Sequence, residues 1–263
     1  MKLLMHTCCA PCSVYCIDTL RKEGIEPTLL WYNPNIHPYT EYVLRRDCLK
    51  EYSKKIGVNA IFEDEYGLEP FCKEVINDVK TRCIKYCYPI RLRHTFEYAK
   101  EHGKLITFDP NLRLPLWETT DAAKEQILWG LAHADVVKIS DEEVEFLWGI
   151  TDEKEAAEKL LDEFGICLAM VTMGPKGAYL ANQNGAAYAK CPKVKPIDTT
   201  GAGDIFGGSA VSRLLKTGKA PEELSTEELG FIGQFACTAA SISTTQSGGI
   251  PSIPEEGAVL ARM

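Results

Sequence analysis

The chain has 263 residues, 45% hydrophobic and 25% charged, enough for one large α/β domain or two smaller ones, each with a real core. Its formal charge of −8 argues against a general polyanion binder. No apolar run approaches the ~20 residues of a membrane span, and Met1-Lys2-Leu3-Leu4-Met5-His6 lacks the long apolar stretch of a secretion signal, so the expected location is the cytoplasm.

Residues 2–5 form a short apolar run that ends at His6-Thr7-Cys8-Cys9-Ala10-Pro11-Cys12. Residues 14–22 read as a helix that Gly24 stops. A second apolar run over 28–32 leads into the turn-rich Asn33-Pro34-Asn35-Ile36-His37-Pro38. Spacing predicts a helix over 39–56, a strand over 58–62, and helices over 71–79 and 89–102. Beyond Gly103 come a strand at 105–108, a helix at 122–133, a strand at 136–139 and helices at 141–148 and 153–164. A strand at 167–172, a Gly174-Pro175-Lys176-Gly177 turn and a hairpin across Asn184-Gly185 follow. Helices over 201–215 and 229–243 complete the pattern. Alternation of this kind predicts an α/β protein: layered parallel sheet with flanking helices.

The character of the chain changes near His102-Gly103-Lys104, which divides it into segments 1–103 and 104–263. The first carries a net charge of +1 and the second −9. Eight of the 11 cysteines lie in the first 87 residues. In a reducing compartment such density points to metal or redox chemistry rather than a disulfide framework.

In the second segment, Thr200-Gly201-Ala202-Gly203-Asp204 places small residues at a helix start. There, backbone N–H groups and the helix dipole can hold a phosphate or a developing anion. Asp204 in that turn could take a proton from an attacking hydroxyl. The plain alternative is a tight helix start with a first-turn carboxylate. No Walker-type glycine loop is present, which excludes a P-loop enzyme.

Residues 104–254 resemble the ribokinase/fructokinase (PfkB) family, most closely fructokinase. The resemblance rests on Phe108-Asp109-Pro110-Asn111-Leu112-Arg113, Val136-Val137-Lys138-Ile139-Ser140, Thr172-Met173-Gly174-Pro175-Lys176-Gly177, the signature at 198–204 and Ser247-Gly248-Gly249-Ile250-Pro251. It implies a ribokinase-like fold, ATP and Mg²⁺ as cofactors, and a sugar as substrate. Asp204 would be the base, and Gly201, Ala202 and Gly203 the anion hole. Thr172, Gly174 and Gly177 would border ATP, Glu143 would link to Mg²⁺, and Asp198 and Thr200 to a monovalent cation. Ser140 stands where many members have Asn. The matching text does not include the family's early glycine-rich sugar signature.

In the first segment, Cys8-Cys9 ends a strand and Cys83 and Cys87 lie among Arg82, Lys85 and Arg91, which favour thiolate. Two such pairs make an iron–sulfur or zinc site, and buried structural cysteines are the alternative. Residues 1–103 resemble the amino-terminal half of QueH-type epoxyqueuosine reductase, through residues 6–12 and 32–38, Glu41-Tyr42 with Arg45-Arg46, and the residues around Cys83 and Cys87. That resemblance implies a Rossmann-like (HUP-type) fold, a [4Fe-4S] cluster on Cys8, Cys9, Cys83 and Cys87, and tRNA as partner. Here three residues separate Cys83 from Cys87 where that family has two. His37 reads as a structural loop residue, Arg45 and Arg46 as solvated, and Trp31 as core. The leading expectation is an ATP-dependent, fructose-type sugar kinase joined to a reductase-like segment. An iron–sulfur oxidoreductase acting on tRNA and a non-catalytic chimera are the alternatives.

Overall fold

Short apolar runs alternating with amphipathic segments fold, in the computed structural model, into two α/β units, Met1–Lys104 and Leu105–Met263, each with its own sheet. The structure describes residues 2–76 and 87–263. Among these, no helix is long and apolar enough to cross a membrane.

The first unit has three parallel strands, β1 (Lys2–His6), β2 (Glu26–Trp31) and β3 (Asn59–Phe62), in the order β1-β2-β3. Parallel neighbours need crossovers, supplied by helices α1 (Ala10–Lys22) and α2 (Tyr39–Ile56). Central β2 buries Leu29, Leu30 and Trp31 completely, as a strand covered on both faces must. Ile17, Tyr42, Leu49 and Val58 pack around it. Helix α1 starts four residues earlier than its apolar spacing predicts, because Pro11 lies in the first turn, where its fixed φ suits a helix start. The predicted helix over 71–79 appears as α3 (Leu68–Val75), with 77–79 outside the described residues. Helix α4 (Tyr88–Glu101) ends the unit.

In the second unit the sheet order is β4-β5-β6-β7-β8. Strands β4 (Thr107–Phe108), β5 (Val136–Ser140) and β6 (Leu168–Thr172) run parallel. Between them lie α5 (Thr120–Leu131), α6 (Asp141–Trp148) and α7 (Glu153–Phe164). The turn after β6 is too short for a crossover, so β7 (Ala178–Asn182) and β8 (Gly185–Ala189) add as an antiparallel hairpin. Helices α8 (Ala202–Thr217) and α9 (Thr226–Ser243) pack their apolar faces, including Phe206, Leu214 and Ile232, against Leu168, Met170 and Leu180 of the sheet. A final turn, α10 (Glu256–Leu260), carries no sequence signal strong enough to predict it.

Capping explains why several boundaries agree with expectation. Asp152 accepts from the Lys154 and Glu155 amides to start α7, and left-handed Gly165 closes it. Helix α9 begins three residues before its predicted start because Ser225 and Glu228 form a reciprocal capping box. Ser225→Ala removes that acceptor and is expected to lower the stability of the second unit by about 1 kcal/mol, measured as a drop in its chemical-denaturation midpoint.

Candidate active site

The candidate residues of the second unit gather where its parallel strands end, the edge at which open α/β sheets bind ligands. Asp109 follows β4, Ser140 ends β5, and Thr172 ends β6 directly opposite Ser140 in the strand register. Thr172 Oγ1 donates to the Ile139 carbonyl at 3.4 Å. The 174–177 turn closes by Met173 N–H to Gly177 O at 2.8 Å and Gly177 N–H to Gly174 O at 3.2 Å. Gly177 has φ +121°, and a Cβ there would stand 2.0 Å from the Ala189 carbonyl oxygen.

Glu143 is buried, and hydrogen bonds occupy both of its carboxylate oxygens. Oε2 accepts from the Ser140 amide and hydroxyl, each at 2.9 Å, and Oε1 accepts from the Leu112 amide at 2.7 Å. Ser140 Oγ in turn accepts from the Glu143 amide at 3.2 Å, completing a capping box for α6. Serine is therefore a competent substitute for asparagine at 140 as a helix cap. The pair ties the loop after β4 to the start of α6.

The 198–204 signature is a clasp followed by a helix start. Asp198 Oδ1 accepts from the Thr200 amide and Oδ2 from the Gly248 amide, both at 2.9 Å. The Gly248 amide is the main reason that this carboxyl falls to about 2, with Thr200 second. The Thr244 carbonyl accepts from the Ile197 and Asp198 amides at 2.7 and 3.1 Å, holding the same turn from the other side. Gly201 is left-handed at φ +78°, and a Cβ there would lie 3.2 Å from Gly249 Cα. It is the N-cap of α8, and the first helical bond runs from Ile205 N–H to Gly201 O at 2.9 Å. The Ala202 amide donates to Thr199 O at 3.2 Å. The Gly203 and Asp204 amides are thus left as first-turn donors without an intrahelical acceptor. Asp204 is exposed, with its carboxylate in the first turn, where the helix dipole favours negative charge.

Two residues at this edge escape sequence reasoning. Lys138 Nζ lies 3.1 and 3.2 Å from the two carboxylate oxygens of Asp109. Burial raises the Asp109 pKa; Lys138 opposes that, and the negative charges of Glu143 and Asp204 reinforce it. Asp109, Lys138, Glu143 and Asp204 therefore share one electrostatic neighbourhood. The available signal was a lysine inside the apolar run Val136-Val137-Lys138-Ile139.

In the first unit the structure brings Cys8, Cys9 and Cys12 together, with their sulfurs all within 4.8 Å of one another. Cys9 is the N-cap of α1, and its Sγ lies 3.0 Å from that of Cys12 and 3.9 Å from that of Cys8. Cys12, with its C-x-x-C spacing from Cys9, is the ligand candidate that a two-pair reading misses. Cys87 stands outside this group, buried with Phe71 and Val75, and Cys83 lies outside the described residues. His37 bonds to the Tyr66 hydroxyl at 2.8 Å, and Arg45 and Arg46 pair with Glu41 and Asp47. Three thiols are apt donors for a soft metal or cluster. In the second unit, Glu143 offers Mg²⁺ only lone pairs left over from three hydrogen bonds. That suits an ion held chiefly by phosphate oxygens and water.

Comparison with known proteins shows which families the two segments resemble. The sequence model for the pfkB family carbohydrate kinases matches residues 78–256, and that for epoxyqueuosine reductase QueH matches residues 3–115. Fructokinase-1 of Zea mays is 40% identical over 177 residues, covering 65% of this chain and 53% of its own. Probable fructokinase-5 of Arabidopsis thaliana is 37% identical over 241 residues, covering 90% and 66%. The solved structure of a fructokinase double mutant from Vibrio cholerae O395, in fructose-, ADP- and potassium-bound form, gives a TM-score of 0.59 at 30% identity, over 69% of this chain and 57% of that one. The fold of the second unit is thus ribokinase-like. The chain spans about half to two thirds of the length of the curated relatives it matches.

The Asp198 clasp is testable by pH. A carboxyl depressed to about 2 stabilises its turn fully above its ordinary pKa and releases it as pH falls through the depressed value. Carboxyl ¹³C titration should therefore place Asp198 near pH 2, and Asp198→Ala should speed hydrogen exchange at the Gly248 and Thr200 amides at neutral pH.

Proposed function

Since the chain belongs to the pfkB family of carbohydrate kinases, we propose that its second unit binds Mg-ATP and transfers the terminal phosphoryl group to a sugar hydroxyl, fructose being the sugar its relatives' names suggest. The observation that carries this reading is the left-handed Gly201 start of α8, which presents the Gly203 and Asp204 amides and the exposed Asp204 carboxylate on one turn. Asp204 takes the hydroxyl proton as the sugar oxygen bonds to the γ-phosphorus. The bond to the β–γ bridging oxygen breaks, and ADP leaves with that electron pair. The 201–203 turn forms the anion hole, with the Gly203 amide its free donor. Thr172, Gly174 and Gly177 border the nucleotide. When bound, Mg²⁺ would offset phosphate charge, and Glu143 is the residue of this unit that would help to hold it. Asp198 and Thr200 border a monovalent cation.

A second reading applies to the first unit, and the three gathered thiols favour it. Cys8, Cys9 and Cys12 would supply thiolates to an iron–sulfur cluster of a reductase acting on epoxyqueuosine in tRNA. Anaerobic reconstitution is expected to give close to one cluster's iron and sulfide per chain. Cys9→Ala should lose most of that iron, and a wild-type chain that takes up none contradicts this reading.

For the kinase reading, calorimetry is expected to show saturable Mg-ATP binding by the folded wild-type chain. Asp204→Asn should keep that binding while any sugar-dependent ADP release falls at least ~100-fold. A folded wild-type chain that binds no Mg-ATP contradicts the proposal and leaves a non-catalytic chimera.

A further inference from the structure

Lys138 sits mid-strand in β5 between fully buried Val137 and Ile139, and only 10% of its own side chain is exposed. An aliphatic stem tolerates such surroundings, but the ammonium head requires partners. It has one carboxylate, that of Asp109, which accepts through both oxygens at 3.1 and 3.2 Å. An ammonium carries three N–H donors. Among the described residues, no acceptor other than Asp109 has a hydrogen bond from Lys138.

The remaining side of the ammonium faces the first turn of α8. A Cβ built on Gly203 would stand 3.2 Å from Lys138 Nζ. The lysine head therefore lies beside Gly203, in the first turn of a 16-residue helix and so at its positive end. A cation beside a helix N-terminus is placed against the dipole, and a buried ion pair is itself a weak source of stability. The arrangement becomes favourable when an anion enters between the ammonium and the turn. Asp109 alone does not balance the site, since burial and the neighbouring Glu143 and Asp204 already disfavour its charge.

We propose that Lys138 is a phosphoryl-binding residue: its ammonium, seated by Asp109, donates to the terminal phosphoryl group of the bound nucleotide while that group rests on the Gly203 amide. This rests on the Mg-ATP reading above and adds to it a side-chain cation for the charge that spreads over the phosphoryl oxygens during transfer. It also gives Gly203 a second role. A Cβ there would require the ammonium to shift by a few tenths of an ångström.

The test compares Mg-ATP with Mg-ADP, which differ by the group in question. Dissociation constants for both are measured by calorimetry on wild type, Lys138→Met and Gly203→Ala, each checked for folding by circular dichroism. The expected result for Lys138→Met is a loss of about 10–100-fold in ATP affinity, the range of a charge-assisted hydrogen bond, with ADP affinity changed less than about threefold. Gly203→Ala should shift the ATP-to-ADP ratio in the same direction by a smaller factor, and it supplies the measurement if Lys138→Met does not fold. Equal weakening of both nucleotides, or of neither, overturns the proposal and leaves Lys138 as a brace between β4 and β5. A wild type that binds neither nucleotide overturns the Mg-ATP reading itself, and this inference with it.

Discussion

The arrangement of the second unit turns on one backbone constraint, the left-handed Gly201 at the start of α8. It reverses the chain so that the helix points its first turn at the edge where β4, β5 and β6 end. The reversal is held from outside: Asp198 grips the Gly248 amide, the Thr244 carbonyl takes two amides of the same turn, and Gly201 lies against Gly249. Chain segments some fifty residues apart thereby share one clasp. With the turn so fixed, the Gly203 amide, the Asp204 carboxylate and the Lys138 ammonium fall into one neighbourhood, and the proposed phosphoryl chemistry follows from their placement.

Much of this unit is legible in the sequence because its signals are local. Helices α6 and α7 begin at Ser140 and Asp152 and end at left-handed Gly149 and Gly165, so pattern and caps agree on their bounds. The small residues of 200–204 likewise announce a helix start. What sequence does not reveal is long-range. Lys138 and Asp109 are 29 residues apart, and a lysine in an apolar run gives no indication of which acid it meets. Glu143 has the spacing of a capping residue from Ser140, but its bond to the Leu112 amide requires the folded loop.

The first unit shows the same division. Its strand–helix alternation is plain, and Trp31 is fully buried, as its apolar setting predicts. At the thiol site the described residues add a third sulfur to the first expected pair, while Cys83 of the second pair lies outside them. Cys9 caps α1 and Cys12 lies one turn on, so the helix start itself brings a third sulfur to Cys8 and Cys9. The second of the adjacent cysteines also begins a C-x-x-C, whose spacing becomes a thiol cluster only once the helix starts at Cys9. Each unit thus places its candidate site residues at a helix start beside the ends of its parallel strands.

We infer that the ends of β4 to β6 and the first turn of α8 form one triphosphate site. Amide chemical-shift mapping of the isotope-labelled chain during a Mg-ATP titration tests it most directly. Saturable shifts are expected, largest at Gly174, Gly177, Gly203 and Asp204. Shifts that spare these amides while others move, or a folded chain whose spectrum does not change at all, would contradict it.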